Sequence, residues 1–408
     1  MVNPALERLP GSAFVRLREL LDPVAPQVET PLAMSIGEPQ LAPPPLIAEV
    51  VAANAHLWNR YPPNEGTPEL RAACARWLTR RFGLPQGAVD PERNVLSATG
   101  SREALYLFSQ FAIPAEKAGR RPVMLMPNPY YQVYRAAAEM SGAEAVLVPA
   151  TKETGYLPDF AALDPEILSR TALAIFCSPS NPEGAQADLE RLTGLVRLAR
   201  RFDFVLACDE CYSELYFGPP PPSGLNAAIK AAAPGEDPFA NVVVFHSLSK
   251  RSSAPGLRSG FVAGDAALLK GFLKLRSYAS VQMPMPLAAA SVALWDDDAH
   301  VVENRAHYAR LIAAADRIFA GYPGYLRPQG GFFLWLDVGD GEAMTKRFWR
   351  EGGIRVVPGR YLTADDPGAP DGNLGHRFVR IALVHDEDRV TRALAVLRRI
   401  LDSPGPTA

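Results

Sequence analysis

Lys250 stands just past the end of a short apolar stretch, and its neighbours suggest that it takes part in chemistry. Val242–Phe245 is typical of a buried strand, Ser247 lies three residues before the lysine, and Arg258 lies eight residues after it. In open α/β sheets ligands bind beside the carboxyl ends of the strands, where Lys250 is expected. A lysine amine can form a Schiff base with an aldehyde when burial or nearby positive charge keeps part of it unprotonated. The alternative is an ordinary surface lysine in a polar loop.

A carboxylate follows a second apolar stretch. Residues 206–208 are Leu-Ala-Cys and lead into Asp209, and Tyr212 comes three residues later. A carboxylate that keeps the nitrogen of a bound pyridine ring protonated draws electrons away from a substrate carbon, and Asp209 fits that role. Tyr212 is placed to reach a hydroxyl group on such a ring. The alternative is that Asp209 caps a helix and Tyr212 belongs to the core.

An asparagine follows a third apolar stretch, in a turn rich in Pro, Ser and Gly. Residues 175–177 are Ile-Phe-Cys, and Asn181 precedes Pro182. The proline holds Asn181 in an extended conformation, which can direct its amide into a cleft. By itself an Asn-Pro pair indicates only a turn. Taken with the lysine and the aspartate, it gives three polar side chains, each placed after a buried strand.

These strands belong to a regular alternation of strands and helical stretches from about residue 46 to residue 294. This alternation is typical of a parallel sheet with helices on both faces. The predicted strands of this region are Val95–Ser97, Val123–Met126, Ala172–Cys177, Val205–Cys208 and Val242–Phe245. After Ser291 the pattern predicts a long helix that includes Val301–Tyr322, followed by strands such as Phe332–Leu336 and Phe378–Leu383.

The motifs Asn-Pro, Asp-x-x-Tyr and Ser-x-x-Lys occur in this order, and together they resemble the class I/II aminotransferases of fold type I, which depend on pyridoxal phosphate. The resemblance extends over nearly the whole chain. It implies an α/β fold in which a large cofactor-binding domain, residues 46–290, has a mostly parallel sheet between two layers of helices. Residues 1–45 and 291–408 would form a small α+β domain.

The resemblance also assigns cofactor contacts. Backbone amides of Gly100, Ser101 and Arg102, at a predicted helix N-terminus, suit the phosphate of pyridoxal 5'-phosphate. The remaining cofactor contacts implied by the resemblance are Ser247 and Arg258 at the phosphate, Tyr131 stacked on the ring, Asn181 and Tyr212 at the ring oxygen, Asp209 at the ring nitrogen, and Lys250 as the catalytic amine.

Three further residues concern the substrate and a second subunit. Arg380 lies in an otherwise apolar strand, where a buried arginine needs an anion. The resemblance implies that it binds the amino acid's α-carboxylate through two parallel hydrogen bonds, and an internal salt bridge is the alternative. Gly37 matches the segment that closes over the substrate. Tyr61 matches a tyrosine that reaches the phosphate of the neighbouring subunit, which implies a homodimer with shared sites. Tyr61 also fits an ordinary turn before a helix, and both can hold.

Composition narrows the classes of protein. A chain of 408 residues suggests two domains, and a net charge of -2 gives no general attraction to nucleic acid or to an anionic membrane. No apolar stretch predicts a membrane span and no signal peptide is recognised, so we expect a cytoplasmic protein. Cys208 and Cys211 have the spacing of a metal or redox pair, but no second such pair exists and Asp209 already has a role between them. We therefore expect no metal.

The segments 9–18, 130–134, 249–252 and 260–265 are most similar to the succinyldiaminopimelate aminotransferases of proteobacteria. This resemblance implies transfer of an amino group from glutamate to the keto acid N-succinyl-2-amino-6-oxopimelate, in lysine and diaminopimelate biosynthesis. The alternatives are a general aspartate or aromatic aminotransferase and a pyridoxal-phosphate-dependent carbon-sulfur lyase. A non-catalytic effector-binding domain of a transcription regulator would carry a basic helix-turn-helix segment, which this sequence lacks.

Overall fold

The computed structural model of the protein describes residues 3–9 and 11–403, apart from the side chain of residue 370. The strands are β1 Leu32–Ala33, β2 Val95–Ala98, β3 Val123–Asn128, β4 Glu144–Pro149, β5 Thr171–Cys177, β6 Val205–Asp209, β7 Val242–Ser247, β8 Gly260–Gly264, β9 Phe333–Asp337, β10 Ile354–Arg355, β11 Val357–Pro358 and β12 Phe378–Ala382. The α-helices are α1 Ala13–Leu21, α2 Leu46–Ala53, α3 Pro68–Phe82, α4 Ser101–Ala112, α5 Gln132–Met140, α6 Pro165–Arg170, α7 Leu189–Arg201, α8 Gly224–Ala231, α9 Leu248–Arg251, α10 Ala266–Ala279, α11 Met285–Asp296, α12 Ala299–Ile318, α13 Gly341–Gly352 and α14 Glu387–Asp402.

The central sheet has seven strands in the order β2-β8-β7-β6-β5-β3-β4. The pairs that involve β3 to β7 among themselves are parallel, and β8 runs antiparallel to both β2 and β7. The predicted fold, a mostly parallel sheet in an α/β protein, is confirmed. Since β2 and β7 are both antiparallel to β8, their carboxyl ends lie at the same edge of the sheet as those of β5 and β6.

Strand β7 shows why this sheet forms between two layers. Val242 and Val244 pack into one hydrophobic core, which includes Trp77 of α3. The alternate residues Val243 and Phe245 pack into a second core on the opposite face. A strand buried on both faces is a continuous apolar run, and this is the pattern by which the strands were predicted.

A smaller sheet, in the order β11-β12-β9, lies beyond the central one in sequence and is antiparallel. It packs with α12, α13 and α14 around a core of its own. The predicted helix over Val301–Tyr322 is wrong at its end, because α12 stops at Ile318. The chain then turns at Gly321, whose φ of 72° is in the left-handed region that favours glycine.

The predicted division at residue 290 falls inside α11, which packs against both α2 and α3. The division into a large and a small domain therefore stays a prediction. Over the described residues, none of the helices combines the length and the apolar character needed to cross a bilayer.

Candidate active site

The three polar segments found in the sequence come together because β5, β6 and β7 are neighbours. In the register of the sheet Cys177 pairs with Asp209, and Asp209 pairs with Phe245. The turn with Asn181, the carboxylate of Asp209 and the helix α9 with Lys250 therefore follow adjacent strand ends. Ligands of open α/β sheets bind at this edge.

A cavity of about 650 Å³ lies at this edge. The predicted site residues that line it are Gly37, Ser101, Arg102, Tyr131, Asn181, Asp209, Tyr212, Lys250 and Arg380. Gly100, Ser247 and Arg258 lie next to the lining, around the start of α4. Tyr61 is fully exposed, at 100% of its possible surface, and does not reach the cavity of its own chain.

The lysine amine points toward the segment predicted to close over the substrate. Nζ of Lys250 donates a hydrogen bond to the carbonyl oxygen of Gly37 and lies 5.2 Å from the centre of the Phe332 ring. Burial lowers the pKa of Lys250 to about 8, and the positive charges of Arg380 and Arg102 act in the same direction. A substantial fraction of the amine is therefore neutral near pH 8, which nucleophilic or basic chemistry at a lysine requires.

Asp209 is a buried carboxylate that has no basic partner within the described chain. Its side chain accepts hydrogen bonds from Oη of Tyr134, at 2.6 Å, and from the backbone amide of Cys211, at 3.2 Å. It takes part in no salt bridge there and is only 6% exposed. A buried carboxylate is stable when a cation or strong donors face it. The charged nitrogen of a protonated pyridine ring would supply that cation.

Tyr134 is a residue of the site that the sequence analysis did not identify. It lies on α5, is 1% exposed, and fixes the carboxylate of Asp209 through its hydroxyl group. Its ring also packs edge-on against Tyr131, with 5.5 Å between the ring centres. The only signal in the sequence was its helical spacing of three residues from Tyr131.

The start of α4 is built around a close approach between Gly100 and Arg258. A Cβ atom on Gly100 would lie 2.4 Å from Nη2 of Arg258, and the glycine has a φ of 89°. The Arg258 guanidinium donates to the carbonyl oxygens of Pro255, at 2.9 Å, and Thr99, at 3.2 Å. The guanidinium is thereby held beside the backbone amides that open the helix, an arrangement suited to a phosphate.

Ser247 also lies near the start of α4, beside the residues described above. Its hydroxyl group accepts a hydrogen bond from the amide of Ser249, at 3.1 Å, and lies 3.2 Å from the carbonyl oxygen of Ser259. The side chain thus ends β7 and begins α9, and it fixes the direction in which Lys250 leaves the strand.

Arg380 is 6% exposed and has no acidic partner among the described residues. It donates to Oδ1 of Asn181, at 3.2 Å, and to the carbonyl oxygen of Ser35, at 2.9 Å, and its Nε has no hydrogen-bond partner. Burial lowers the pKa of Arg380 to about 10. Its guanidinium carbon lies 4.5 Å from the centre of the Phe333 ring. The arginine is therefore positioned by neutral groups, and its charge can bind a substrate anion.

Two aromatic residues complete the walls. Tyr131 accepts a hydrogen bond from Nε of Arg102, at 2.7 Å. Tyr212 is buried, and its ring meets those of Phe332 and Phe333 edge-on, at 5.6 Å and 6.1 Å. Burial raises the pKa of Tyr212, so that its hydroxyl group stays protonated at neutral pH.

Gly37 lies where the segment before α2 crosses the cavity. A Cβ atom at this position would lie 2.4 Å from the Phe333 ring. Since glycine has no side chain, the backbone at this position can lie against Phe333 and within hydrogen-bond distance of Lys250.

Comparison with known proteins places this site in a family. The sequence model of the family described as aminotransferase class I and II matches residues 29–397. The 4-dedimethylamino-4-oxo-anhydrotetracycline transaminase OxyQ of Streptomyces rimosus is 32% identical over 367 residues, which cover 89% of this chain and 92% of that protein. An LL-diaminopimelate aminotransferase of Nitratidesulfovibrio vulgaris is 30% identical and is aligned over 97% of this chain and 98% of its own.

A solved structure agrees with the sequence relatives. An aminotransferase from Neisseria meningitidis Z2491 has a TM-score of 0.91 at 37% identity, and the alignment covers 98% of this chain and 100% of that one. The chain belongs to the class I and II aminotransferases, and the fold-type I resemblance is confirmed. Proteins of this family use pyridoxal 5'-phosphate and exchange amino groups between amino acids and keto acids.

The residues of the cavity fit this cofactor. Asp209 is a buried carboxylate that pairs with no cation among the described residues. Gly100 leaves a space beside Arg258 that a side chain at position 100 would occupy. The neutral fraction of Lys250 meets the need for a free amine. The observed donors and acceptors therefore match a ring with a basic nitrogen at one end and a phosphate at the other.

Replacing Arg380 with lysine tests the arginine at the substrate end. An ammonium group cannot make two parallel hydrogen bonds to a carboxylate, so we expect amino-acid binding to weaken roughly 10- to 100-fold, the range for losing a hydrogen bond between charged groups. The cofactor should remain bound, since Arg380 contacts none of the predicted phosphate-binding residues. Substrate dissociation constants from cofactor absorbance provide the measurement. Unchanged constants would place the carboxylate elsewhere.

Proposed function

We propose that this aminotransferase moves an amino group between glutamate and N-succinyl-2-amino-6-oxopimelate, in the biosynthesis of diaminopimelate and lysine. The observation that carries the proposal is the composition of the cavity. Three side chains line one cavity of about 650 Å³. They are Lys250, whose amine is partly neutral, and Asp209 and Arg380, which have no partner of opposite charge among the described residues. Such a volume lies in the range of small-molecule sites and would hold the cofactor together with a substrate.

The surroundings of the cavity support an acidic substrate. A second cavity of about 320 Å³ shares Tyr130 and Gln132 with the first. Among its lining residues Arg16 has its guanidinium carbon 3.9 Å from the centre of the Tyr361 ring. Glu342 and Asp365 also line this cavity, but neither Arg16 nor Arg135 forms a salt bridge within the described residues. Unpaired arginines near the site favour substrates with additional carboxylates. Relatives named LL-diaminopimelate aminotransferases act on a compound of related structure.

The chemistry divides among residues as follows. When bound, pyridoxal 5'-phosphate supplies an aldehyde carbon and an electron-withdrawing ring. Nζ of Lys250 would accept the proton that leaves the substrate α-carbon and deliver it to the aldehyde carbon of the cofactor, and in the second half-reaction the same transfer would run in the opposite direction. Asp209 keeps the ring nitrogen protonated, while Arg380 holds the α-carboxylate so that the α-hydrogen faces the lysine. Asn181 accepts a hydrogen bond from Arg380 and would contact the ring oxygen of the bound cofactor.

A panel of keto acids with glutamate as the amino donor tests the substrate. We expect the highest kcat/KM for the succinylated keto acid. A preference for oxaloacetate or for an aromatic keto acid would instead show a general aspartate or aromatic aminotransferase. Release of pyruvate and a thiol from cystathionine without a keto acid would show a carbon-sulfur lyase.

We also propose that the protein acts as a homodimer in which Tyr61 completes the partner's site. Tyr61 is a fully exposed aromatic side chain in the turn before α3, which begins at Pro68. A fully exposed aromatic side chain is typical of an interface. The division into a large domain, residues 46–290, and a small domain, residues 1–45 and 291–408, is also part of this proposal.

Mixing two inactive variants tests the shared site. One chain carries Lys250→Ala and the other carries Tyr61→Ala. A mixed dimer should then contain one site with both residues intact, so that random pairing restores about one quarter of all sites. Turnover after mixing is the measurement, with mixed dimers verified by a pull-down of differently tagged chains.

A matched control uses two residues that line the same cavity of one chain. Mixing Lys250→Ala with Asp209→Ala should restore nothing beyond the activity of the separate variants, because neither site of the mixed dimer is complete. If the Tyr61 pair also restores nothing although mixed dimers form, Tyr61 serves only its own turn.

A further inference from the structure

Glu183 is an acidic residue inside the cavity of an enzyme for which we propose acidic substrates. It follows Asn181 and Pro182, lines the same cavity as Lys250, and is 3% exposed. Its Oε1 atom has no hydrogen-bond partner, and its carboxyl group forms no salt bridge with any described residue. Neither the sequence motifs nor the mechanism above gives it a role.

The backbone around Glu183 forms a closed turn. The hydroxyl group of Ser180 accepts from the amide of Ala185, at 3.0 Å, and the carbonyl oxygen of Ser180 accepts from the amide of Gly184, at 3.1 Å. Gly184 has a φ of 70°, and a Cβ atom there would lie 2.5 Å from Pro328. Glu183 therefore sits in a closed, tightly packed turn.

The same turn carries Asn181, whose side chain contacts Arg380 at 3.2 Å. One turn therefore contacts the arginine that we assign to the α-carboxylate and also carries Glu183. Glu183 lines the same cavity and could contact a group farther along the substrate.

The chemical state of Glu183 follows from its surroundings. An ionised carboxylate without a cation is costly to bury when few donors face it, and the group is then more stable in its protonated form. Burial raises the pKa of Glu183 to about 8, with smaller opposing effects of its own backbone amide and Ser180. At neutral pH the side chain is mainly a carboxylic acid, which donates one hydrogen bond from its O–H group.

We propose that Glu183 is a specificity residue that donates a hydrogen bond to a carboxylate or carbonyl oxygen in the side chain of the substrate. This proposal rests on the proposed function, since it names how the same site recognises an acidic side chain. A protonated carboxyl group accepts such a substrate, whereas an ionised one repels it. An apolar side chain would leave the buried O–H group unpaired, which a site built for hydrogen bonding disfavours.

Other titratable groups near this turn do not produce the same pH dependence. Tyr156 lies across the cavity and Cys177 ends β5, and burial raises the pKa of both above their usual values. Arg380 titrates near 10. In the holoenzyme the Lys250 amine is linked to the cofactor, so the pKa of about 8 of the free amine does not apply there, and a titration at the cofactor acts on the carboxylate that both acids share.

Binding of glutarate and valerate to the holoenzyme tests the proposal. Both are five-carbon acids, and only glutarate has a second carboxylate for Glu183. Calorimetry at pH 7 should show glutarate binding roughly tenfold more tightly, the magnitude of one hydrogen bond to a charged group. As the pH rises through about 8, Glu183 ionises and this ratio should fall toward one or below.

Variants at position 183 distinguish the effect of the hydrogen bond on binding from the effect of ionising the carboxyl group. Glu183→Gln keeps a donor that does not ionise, so the ratio should persist and become independent of pH. Glu183→Ala should reduce the ratio to about one at every pH. Glu153→Gln, at an exposed position outside the cavity, should behave like the parent. Cofactor content and the thermal midpoint establish that each variant is folded.

The proposal is overturned if the parent binds both acids equally or binds neither, if its ratio does not change with pH, or if Glu183→Ala keeps the parent's ratio. Because neither ligand is turned over, these results are independent of which keto acid the enzyme prefers. Failure of the succinylated keto acid in the substrate panel would therefore leave a pH-dependent preference for glutarate intact.

Discussion

Replacing Lys250 with alanine should abolish amino-group transfer while the cofactor remains bound. Among the described residues that line the cavity, this amine is the basic group that is both neutral in part at pH 8 and hydrogen-bonded to the Gly37 carbonyl. Losing a general acid and base costs a rate factor of roughly 10² to 10⁴, and loss of the covalent attachment adds to this. Multiple-turnover assays with glutamate measure the effect.

Borohydride provides a second readout that does not depend on turnover. Reduction should attach the cofactor to the peptide that contains Lys250 in the parent and leave no attachment in the variant, as determined by mass spectrometry. Lys270→Ala, at an exposed position on α10, is the matched control and should be labelled and active like the parent. Sustained transfer by the Lys250→Ala protein would show that another group carries the chemistry.

Replacing Asp209 with alanine should raise the barrier for transfer by about 3 kcal/mol or more, the range for removing a key electrostatic group from a buried site. The carboxylate is buried and has no cation in the described protein, so its charge is available to the ring nitrogen. Asp209→Asn keeps the shape and removes the charge, and it should lose nearly as much. Single-turnover rates with saturating glutamate separate this effect from binding.

Tyr134→Phe is a control that changes how the Asp209 carboxylate is oriented but leaves its charge in place. It keeps the ring in the core and removes only the hydroxyl group that donates to Asp209. We expect a smaller loss than for Asp209→Ala, together with a shift in the pH at which the cofactor's absorbance changes. A rate for Asp209→Ala within tenfold of the parent would point to a different partner for the ring nitrogen.

The cofactor-binding end of the site was largely predictable from the sequence. Residues such as Lys250 and Asp209 each follow a short apolar run, and such a run is typical of a strand buried on both faces. Once the sheet is parallel, polar residues after these strands must share one edge. The motifs and their order also gave the family.

The strands that were predicted match the observed ones within a few residues, although β4 and β8 of the central sheet were not among them, and one helix was predicted with the wrong end. The apolar pattern continued to Tyr322, but α12 ends at Ile318 before the turn at Gly321. Hydrophobic periodicity does not record such a turn, because it is a property of φ and ψ and not of side-chain type.

The sequence alone thus determined the type of sheet, the edge at which the site lies, and the residues that end its strands. Only the tertiary structure showed that Tyr134 orients Asp209, that Arg380 has no acidic partner among the described residues, and that Glu183 is buried inside the cavity. The physical reason is that strand ends follow from local patterns, whereas hydrogen bonds and burial depend on which distant elements pack together. A buried carboxyl group and a solvated one look alike in a sequence, and their charge differs only because of what surrounds them.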